Sequence, residues 1–236
     1  MRLNSLDKFP PSYNFLQACM KPRFVCVLDF EATCDNPVQL DQTEVIEFPS
    51  VLLEFVGDKY IVKSEFQKYV KPQIHPILTE FCSELTGITQ SQIDSGIPFS
   101  DALKLHHKWL MDSIGADPNE IDATQFIIVT CGDWDIRTML PAQARISKIP
   151  IPRYLQTVSN IKVVVGRFKG SKKNPNSINA LLHFVGKTFV GKLHSGIDDC
   201  RNIAVVVKEM AFKDAFPVAT GQLTVSSQDN YLFNQL

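Results

Sequence analysis

The sequence predicts an α/β protein with a mixed central β-sheet flanked by helices. Three observations carry that expectation. Short, β-branched and aromatic runs come first in the chain, and segments of helical period alternate with a further strand later. The chain has 236 residues, 44% hydrophobic and 21% charged, which suits a globular protein long enough to bury its own core. No repeat or low-complexity tract points to a solenoid or fibre, and no stretch approaches the ~18 uninterrupted apolar residues of a membrane span.

Residues 1–22 read as a lead-in, punctuated by Pro10, Pro11 and Pro22. An acid and two prolines stand where a secretory signal carries its apolar run, so a cytoplasmic or nuclear location is expected. The main domain is expected over 23–212. FVCVLDF (24–30) fits a buried strand. EVIEFPSVLLEF (44–55) fits a second, in which Pro49 demands a bulge or an edge position. The alternating 60–72 fits a third, joined to it by a Gly57-Asp58 turn. Short helices are expected over 77–85 and after Gly87, the latter capped by Thr89. Leu103, His106 or His107, Leu110 and Ile114 recur at helical spacing over 99–114, with Ser100 as N-cap.

QFIIVTC (125–131) is the clearest later strand, and WDIRTMLPAQARI a helix interrupted at Pro141. Residues 162–176 read as a basic, glycine-containing connection. A short helix over 177–186 is capped by Ser177 and stopped by Gly186, and 197–212 is the last strong helix. The polar tail, 213–236, is weakly patterned and is expected to be mobile or to dock on the surface.

Six cysteines without a C-x-x-C pair argue against a disulfide framework or structural zinc; they are expected to be reduced and mainly buried. A net charge of -1 gives no nucleic-acid signal by composition.

Carboxylates carry the chemical signal. Asp29 and Glu31 end the first strand on one face, because side chains two apart on a strand point the same way, while Phe30 points into the core. Two such acids repel unless a cation lies between them, and a hard divalent ion with a taste for oxygen does this best. His194 and Asp199 lie five apart and diverge on one continuous helix. Ser195 as N-cap, with Asp198 at N3 in a shortened capping box, leaves His194 on a loop and Asp199 in the first turn, where both can converge. Asp133 and Asp135 flank Trp134 after the 125–131 strand, and the spacing does not choose between them.

LDFEATC (28–34), EVIEFPSVLL, LTGITQ (85–90), CGDWDIRTML and HSGIDDCRNIA (194–204), in this order, resemble the DEDDh 3′–5′ exonucleases. Within them they are most similar to the Eri-type exoribonuclease branch that includes the histone-mRNA 3′-exonuclease, over about 23–211. The resemblance implies a ribonuclease-H-like fold and two-metal phosphodiester hydrolysis with two Mg²⁺ or Mn²⁺ ions per site. By match, the catalytic set falls on Asp29, Glu31, Asp135, His194 and Asp199. The four acids would be the metal ligands and His194 the general base; Asp133 then becomes a helix cap. Phe81 and Trp134 match positions that stack on terminal bases, and backbone groups of Ala32, Thr33, Thr86 and Gly87 would meet the 3′-terminal sugar. Arg167, Lys169, Lys172 and Lys173 are either a solvated face or a phosphate contact. The implied partner is RNA with a single-stranded 3′ end. The alternatives are a 3′ exonuclease acting mainly on DNA, or a catalytically silent RNA-binding module.

Overall fold

The β-branched run Phe24–Leu28 forms a strand (β1) that is buried along its whole length, with pairing on both sides. The computed structural model that shows this describes residues 21–36, 38, 40–225 and 231–235. All but the last two residues of the lead-in lie outside them. On one side β1 runs antiparallel to Val45–Val56 (β3); on the other it runs parallel to Phe126–Thr130 (β5). Glu31–Ala32 (β2) pairs with β3 beyond the end of β1, Glu31 opposite Glu47, so β1 and β2 are one strand interrupted at Asp29 and Phe30. The register on either side of the gap puts Pro49 opposite Asp29. Proline has no N–H to donate, so the ladder opens where the sequence foresees an irregularity. The Gly57-Asp58 turn, with Gly57 at φ +65°, leads into Lys59–Tyr69 (β4) on the outer side of β3.

The other edge of the sheet continues from β5 to the parallel strand Thr157–Asn160 (β6). Gly221–Val225 (β7) and Tyr231–Gln235 (β8) complete it as antiparallel strands. The expectation of an unpatterned tail is corrected here. Leu223 is buried between exposed Gln222 and Thr224, a short period-two pattern, and its N–H donates to the Gln156 carbonyl at 2.7 Å.

Strand alternation divides the core in two. Phe24, Cys26, Leu28 and Phe30 face one layer, formed by Phe99–Ile114 (α3) and Leu140–Ser147 (α4). Between them, His106 is fully buried as a packing residue, its ring 4.5 Å from that of Phe48. It lies 3.1 Å from Ser50 Oγ and 2.9 Å from Tyr154 Oη. Burial holds its ring pKa down to about 3, so it is neutral.

Val25, Val27, Ile127 and Val129 face the opposite layer, formed by Ile161–Phe168 (α5), Ile178–Phe184 (α6) and Gly196–Ala211 (α7). Asp29 and Glu31 share the parity of Val25 and Val27, so the strand directs them toward α7.

Local chemistry explains the remaining elements. Thr79 caps Glu80–Thr86 (α1), and Thr89 makes a full capping box with Gln92 on Gln90–Asp94 (α2). Ser177 caps α6 through Ala180 N–H. Ser100 does not cap α3; Pro98 occupies the N-cap, and Ser100 lies inside the helix. The basic connection over 162–176 is corrected as well: its first part is α5, which Asn160 caps through Lys162 N–H at 3.0 Å. Three consecutive valines and a glycine disfavour a helix intrinsically, but Ile161, Val164 and Val165 bury one face of it against the sheet, and packing prevails.

Candidate active site

Asp29 leaves β1 at the carboxyl end of two adjacent parallel strands, β1 and β5, the edge where open α/β sheets place their ligands. Phe30 anchors the gap from behind, its ring 4.8 Å from Phe48 and 6.2 Å from Phe99. Its N–H, freed by the open ladder, donates to Asp135 Oδ1 at 2.8 Å. That bond ties the third acid to the first strand.

Asp135 follows β5 and opens a π-helical turn, Asp135–Met139, that runs directly into α4 with Pro141 in its first turn. Pro141 cannot supply the N–H that an α-helix would need from it, and the wider turn absorbs the loss. Asp133 does not cap this helix. Its Oδ1 accepts from Asn160 Nδ2 at 2.9 Å and its Oδ2 from Gln235 Nε2 at 3.4 Å, joining the turn to β6 and to the C-terminal hairpin.

The start of α7 brings the last two residues. Ser195 is the N-cap residue, but its side chain makes no capping bond, and Asp198 does not complete a box. Asp198 instead accepts from Lys192 N–H at 3.0 Å and from Arg201 at 3.0 Å. The cap comes from another strand. Glu47 of β3 accepts from Gly196 N–H at 3.1 Å, from the Ile197 N–H, and from Gln67 Nε2 at 2.7 Å. Gly196 is required for the approach. A methyl group there would stand 2.8 Å from Pro49 Cγ and 2.9 Å from the Asp29 carbonyl oxygen.

His194 sits just before the helix at φ +64°, exposed, with its N–H on Asp199 Oδ2 at 3.0 Å. One ligand atom each from Glu31, His194 and Asp199 lie within 4.8 Å of one another. Asp199 Oδ1 is buried with no hydrogen-bond partner among the described residues. An orphaned buried carboxylate oxygen in an all-oxygen and imidazole cluster fits a hard divalent cation.

The electrostatics agree. Burial raises the Asp29 carboxyl well above the usual carboxylate range, and the charges of Asp135, Asp199 and Glu31 add to it. Burial, then Asp199 and Glu47, push Glu31 up to about 9. Asp199 is raised by burial to about 7, against the opposing His194 N–H. Burial raises Asp135 to about 6, against the Phe30 N–H.

The model of the exonuclease family (RNase T) matches residues 26–207. The chain belongs to the exonuclease family. ERI1 exoribonuclease 3 of Homo sapiens is 38% identical over 209 residues, covering 89% of this chain and 57% of the relative. The 3′-5′ exoribonuclease 1 of Mus musculus is 34% identical over 190 residues, covering 79% and 52%. The chain thus spans about half the length of the curated relatives it matches. Among solved structures, the nuclease domain of 3′hExo, a DEDDh family member bound to rAMP, superposes with a TM-score of 0.76 at 30% identity, covering 84% of this chain and 96% of that one. A 3′-exonuclease solved for its 3′-end-specific recognition of the histone mRNA stem-loop gives a TM-score of 0.79 at 27% identity, covering 91% and 92%. The fold is accordingly the ribonuclease-H-like fold of DEDDh exonucleases, and the family depends on divalent metal.

The residues expected to meet substrate have distinct settings. Trp134 is 46% exposed at the head of the π turn, and Phe81 is half-buried on α1, outside the described core clusters. Gly87 closes α1 in the left-handed conformation. The hydroxyls of Thr33 and Thr86 are engaged internally, with Glu44 N–H at 3.0 Å and with the Cys82 carbonyl at 2.8 Å. The Thr33 N–H is taken by the Glu44 carbonyl, and the Ala32 carbonyl faces Cys82 Sγ at 3.7 Å.

Two residues escape the sequence reading. Glu47 looks like an ordinary strand acid, and only its pairing opposite Glu31 could have marked it. Lys192 lies across Gly87 and donates to the Glu84 carbonyl at 3.0 Å, strapping the His194 loop to the end of α1. That helix has no basic residue of its own in its last turn, so Lys192 supplies the cation its C-terminus favours.

Proposed function

We propose that this exonuclease is a metal-dependent 3′–5′ exoribonuclease that removes nucleoside 5′-monophosphates from single-stranded 3′ ends, with two Mg²⁺ or Mn²⁺ ions per site. The observation that carries the reading is the orphaned oxygen of Asp199, a carboxylate grouped with Glu31 and His194 and acting by its charge, with Asp135, on Asp29. Asp29, Glu31 and Asp199 would hold one ion; Asp29 and Asp135 would hold the second. Bound divalent ions supply charge for the scissile phosphate and acidify the attacking water.

The protein's own groups do the rest. His194, exposed beside the acids, takes the water's proton on a ring nitrogen, a role suited to an imidazole near neutral pH. Asp199 fixes the backbone of that histidine, so the base and a metal ligand move as one unit. Trp134 and Phe81 offer faces on which the last bases can stack regardless of sequence. The strap from Lys192 to Glu84 stands beside the Thr86–Gly87 turn, where the 3′-terminal sugar would lie.

RNA is favoured because the relatives are named exoribonucleases. A time course on single-stranded RNA, single-stranded DNA and a blunt duplex of one sequence, each labelled at the 5′ end, tests this. Stepwise, metal-dependent shortening of RNA, slower loss of DNA and protection of the duplex are expected; unpairing an end costs a few kcal/mol. Equal or faster loss of DNA would make it a DNA exonuclease. No metal-dependent release of nucleotide would leave only a binding module.

A further inference from the structure

Acidic and basic residues are segregated along the chain. Residues 136–197 hold eleven of the 24 Lys and Arg and none of the 25 Asp and Glu, so this segment carries +11 and the remainder -12. The net charge of -1 conceals that division, which is the kind of asymmetry nucleic-acid-binding surfaces show. The segment begins directly after Asp135 and ends directly before Asp198 and Asp199, so the basic stretch is bracketed by site acids.

Several of its cations are already committed. Lys187 pairs with Glu209, and Lys192 is turned away to the Glu84 backbone carbonyl at the end of α1. Lys162, Lys172 and Lys173 form no ion pair among the described residues. Their placement is ordered. Lys162, in the first turn of α5, lies at the carboxylate cluster, where its charge bears on Asp135 and on Cys131. A methyl group on Gly132 would stand 3.9 Å from its Nζ, so the ammonium borders the turn that leads to Trp134.

The loop over 169–176 then folds back along α5. Asn174 packs against Gly166, and the Asn176 carbonyl accepts from Lys162 Nζ at 3.2 Å. Lys172 and Lys173 stand exposed on this loop, beside Ser171 and Asn174 and without an apolar patch. The result is a set of cations without ion pairs that starts beside the carboxylate cluster at Lys162 and continues onto the 169–176 loop.

We propose that Lys162, Lys172 and Lys173 form a track for the phosphate backbone of the RNA on the 5′ side of the nucleotide being removed. The proposal rests on the exoribonuclease reading and adds the path of the substrate outside the catalytic cluster. A protein partner with an acidic face would have no reason to need a cation bordering the metal site; a phosphate chain threaded to that site does. Because Lys162 is innermost, short and long substrates should both feel it. Only a longer strand should reach Lys172 and Lys173.

The test uses the full chain carrying His194→Ala in Mg²⁺, with 5′-fluorescein RNA as a trinucleotide and a decanucleotide, and anisotropy read over a range of KCl concentrations. Each phosphate contact on a single strand contributes about 0.7 to the slope of log K against log salt. Lys162→Gln is expected to lower the slope by about 0.7 for both lengths. Lys172→Gln with Lys173→Gln should lower it by about 1.4 for the decanucleotide and leave the trinucleotide unchanged. Lys104→Gln with Lys108→Gln, on the exposed face of α3, is the control and should change neither. Unchanged slopes, or equal losses in the track and control variants, would overturn the track alone. Failure of the parent to bind either oligonucleotide would remove the exoribonuclease reading and the track with it.

Discussion

Asp29 is the residue on which the charges of the site converge: Asp135, Asp199, Glu31 and Glu47 all raise its carboxyl, after burial has done most of the work. Replacing it by asparagine removes one of these mutually repelling groups without changing the shape of the strand end. In EDTA at about pH 8, Asp29→Asn is therefore expected to melt at a higher temperature than the wild type. It should also lose hydrolysis and the extra stability that Mg²⁺ confers by mass action. Thermal melts with and without metal check this; a variant that still gains stability from Mg²⁺ and still hydrolyses RNA would take Asp29 out of the metal site. His194→Ala should retain metal and RNA binding but lose about 10²–10⁴-fold in rate, the usual share of a general base. Single-turnover rates across the histidine pH range are the measurement, and an unaltered rate would make His194 a bystander. At this scale the sequence is informative where D-x-E ends a strand on one face, whereas the choice of Asp135 over Asp133 and the pairing of His194 with Asp199 come from the family resemblance and not from spacing. Glu47 and Lys192 are illegible there, since each acts through a partner far away in the chain.

The element that decides the site is α7, because its first turn must reach under the gap between β1 and β2. Gly196 permits that approach and Glu47 holds it. Gly196→Ala is expected to push the helix off Pro49 and the Asp29 carbonyl, weakening Mn²⁺ binding as well as hydrolysis; isothermal titration with Mn²⁺ separates this from a simple loss of fold. Glu47→Ala, which strips the N-terminal amides of their acceptor, should cost about 0.5–2 kcal/mol, like the loss of other caps. Glu47→Gln keeps an acceptor and should recover part of the loss, and equal melts for the two variants would deny Glu47 that role. The sequence places the helix boundary at Ser195 correctly yet assigns the cap to the wrong side chain. Local patterns record where a helix starts, whereas the acceptor of its first amides comes from a strand almost 150 residues earlier. The same limit hides α5, whose valines look like strand until one face is seen packed on the sheet.

Over the whole molecule, the raised carboxyls make stability depend on pH when metal is absent. Glu31 and Asp199 titrate near 4.5 and 3.8 when unperturbed and at about 9 and about 7 in the folded protein. Between those values the folded state binds more protons than the unfolded one. Their contribution is full below about pH 4 and is lost as pH rises through about 7 and then about 9. In EDTA the melting temperature should fall from about pH 6 to about pH 9, and saturating Mg²⁺ should flatten the fall, since metal replaces the protons. A melting temperature that is level or rising over that range in EDTA would contradict the clustering of the acids. The α/β class and the β1, β3, β5 framework are readable from the first strands, whereas the β7–β8 hairpin is too short and polar to announce itself.

The order in which the site residues occur along the chain has a bearing on biosynthesis. Asp29 and Glu31 come from the first strand and its continuation, Asp135 from the middle, His194 from the loop before α7 and Asp199 from the first turn of that helix. A chain still leaving the ribosome can pair β1 with β3 and even β5, yet it lacks the proposed base, His194, and Asp199 with its orphaned oxygen until α7 has emerged. During translation it is surrounded by messenger and ribosomal RNA. On the exoribonuclease reading proposed above, that order withholds the complete cluster from those RNAs until α7 has emerged.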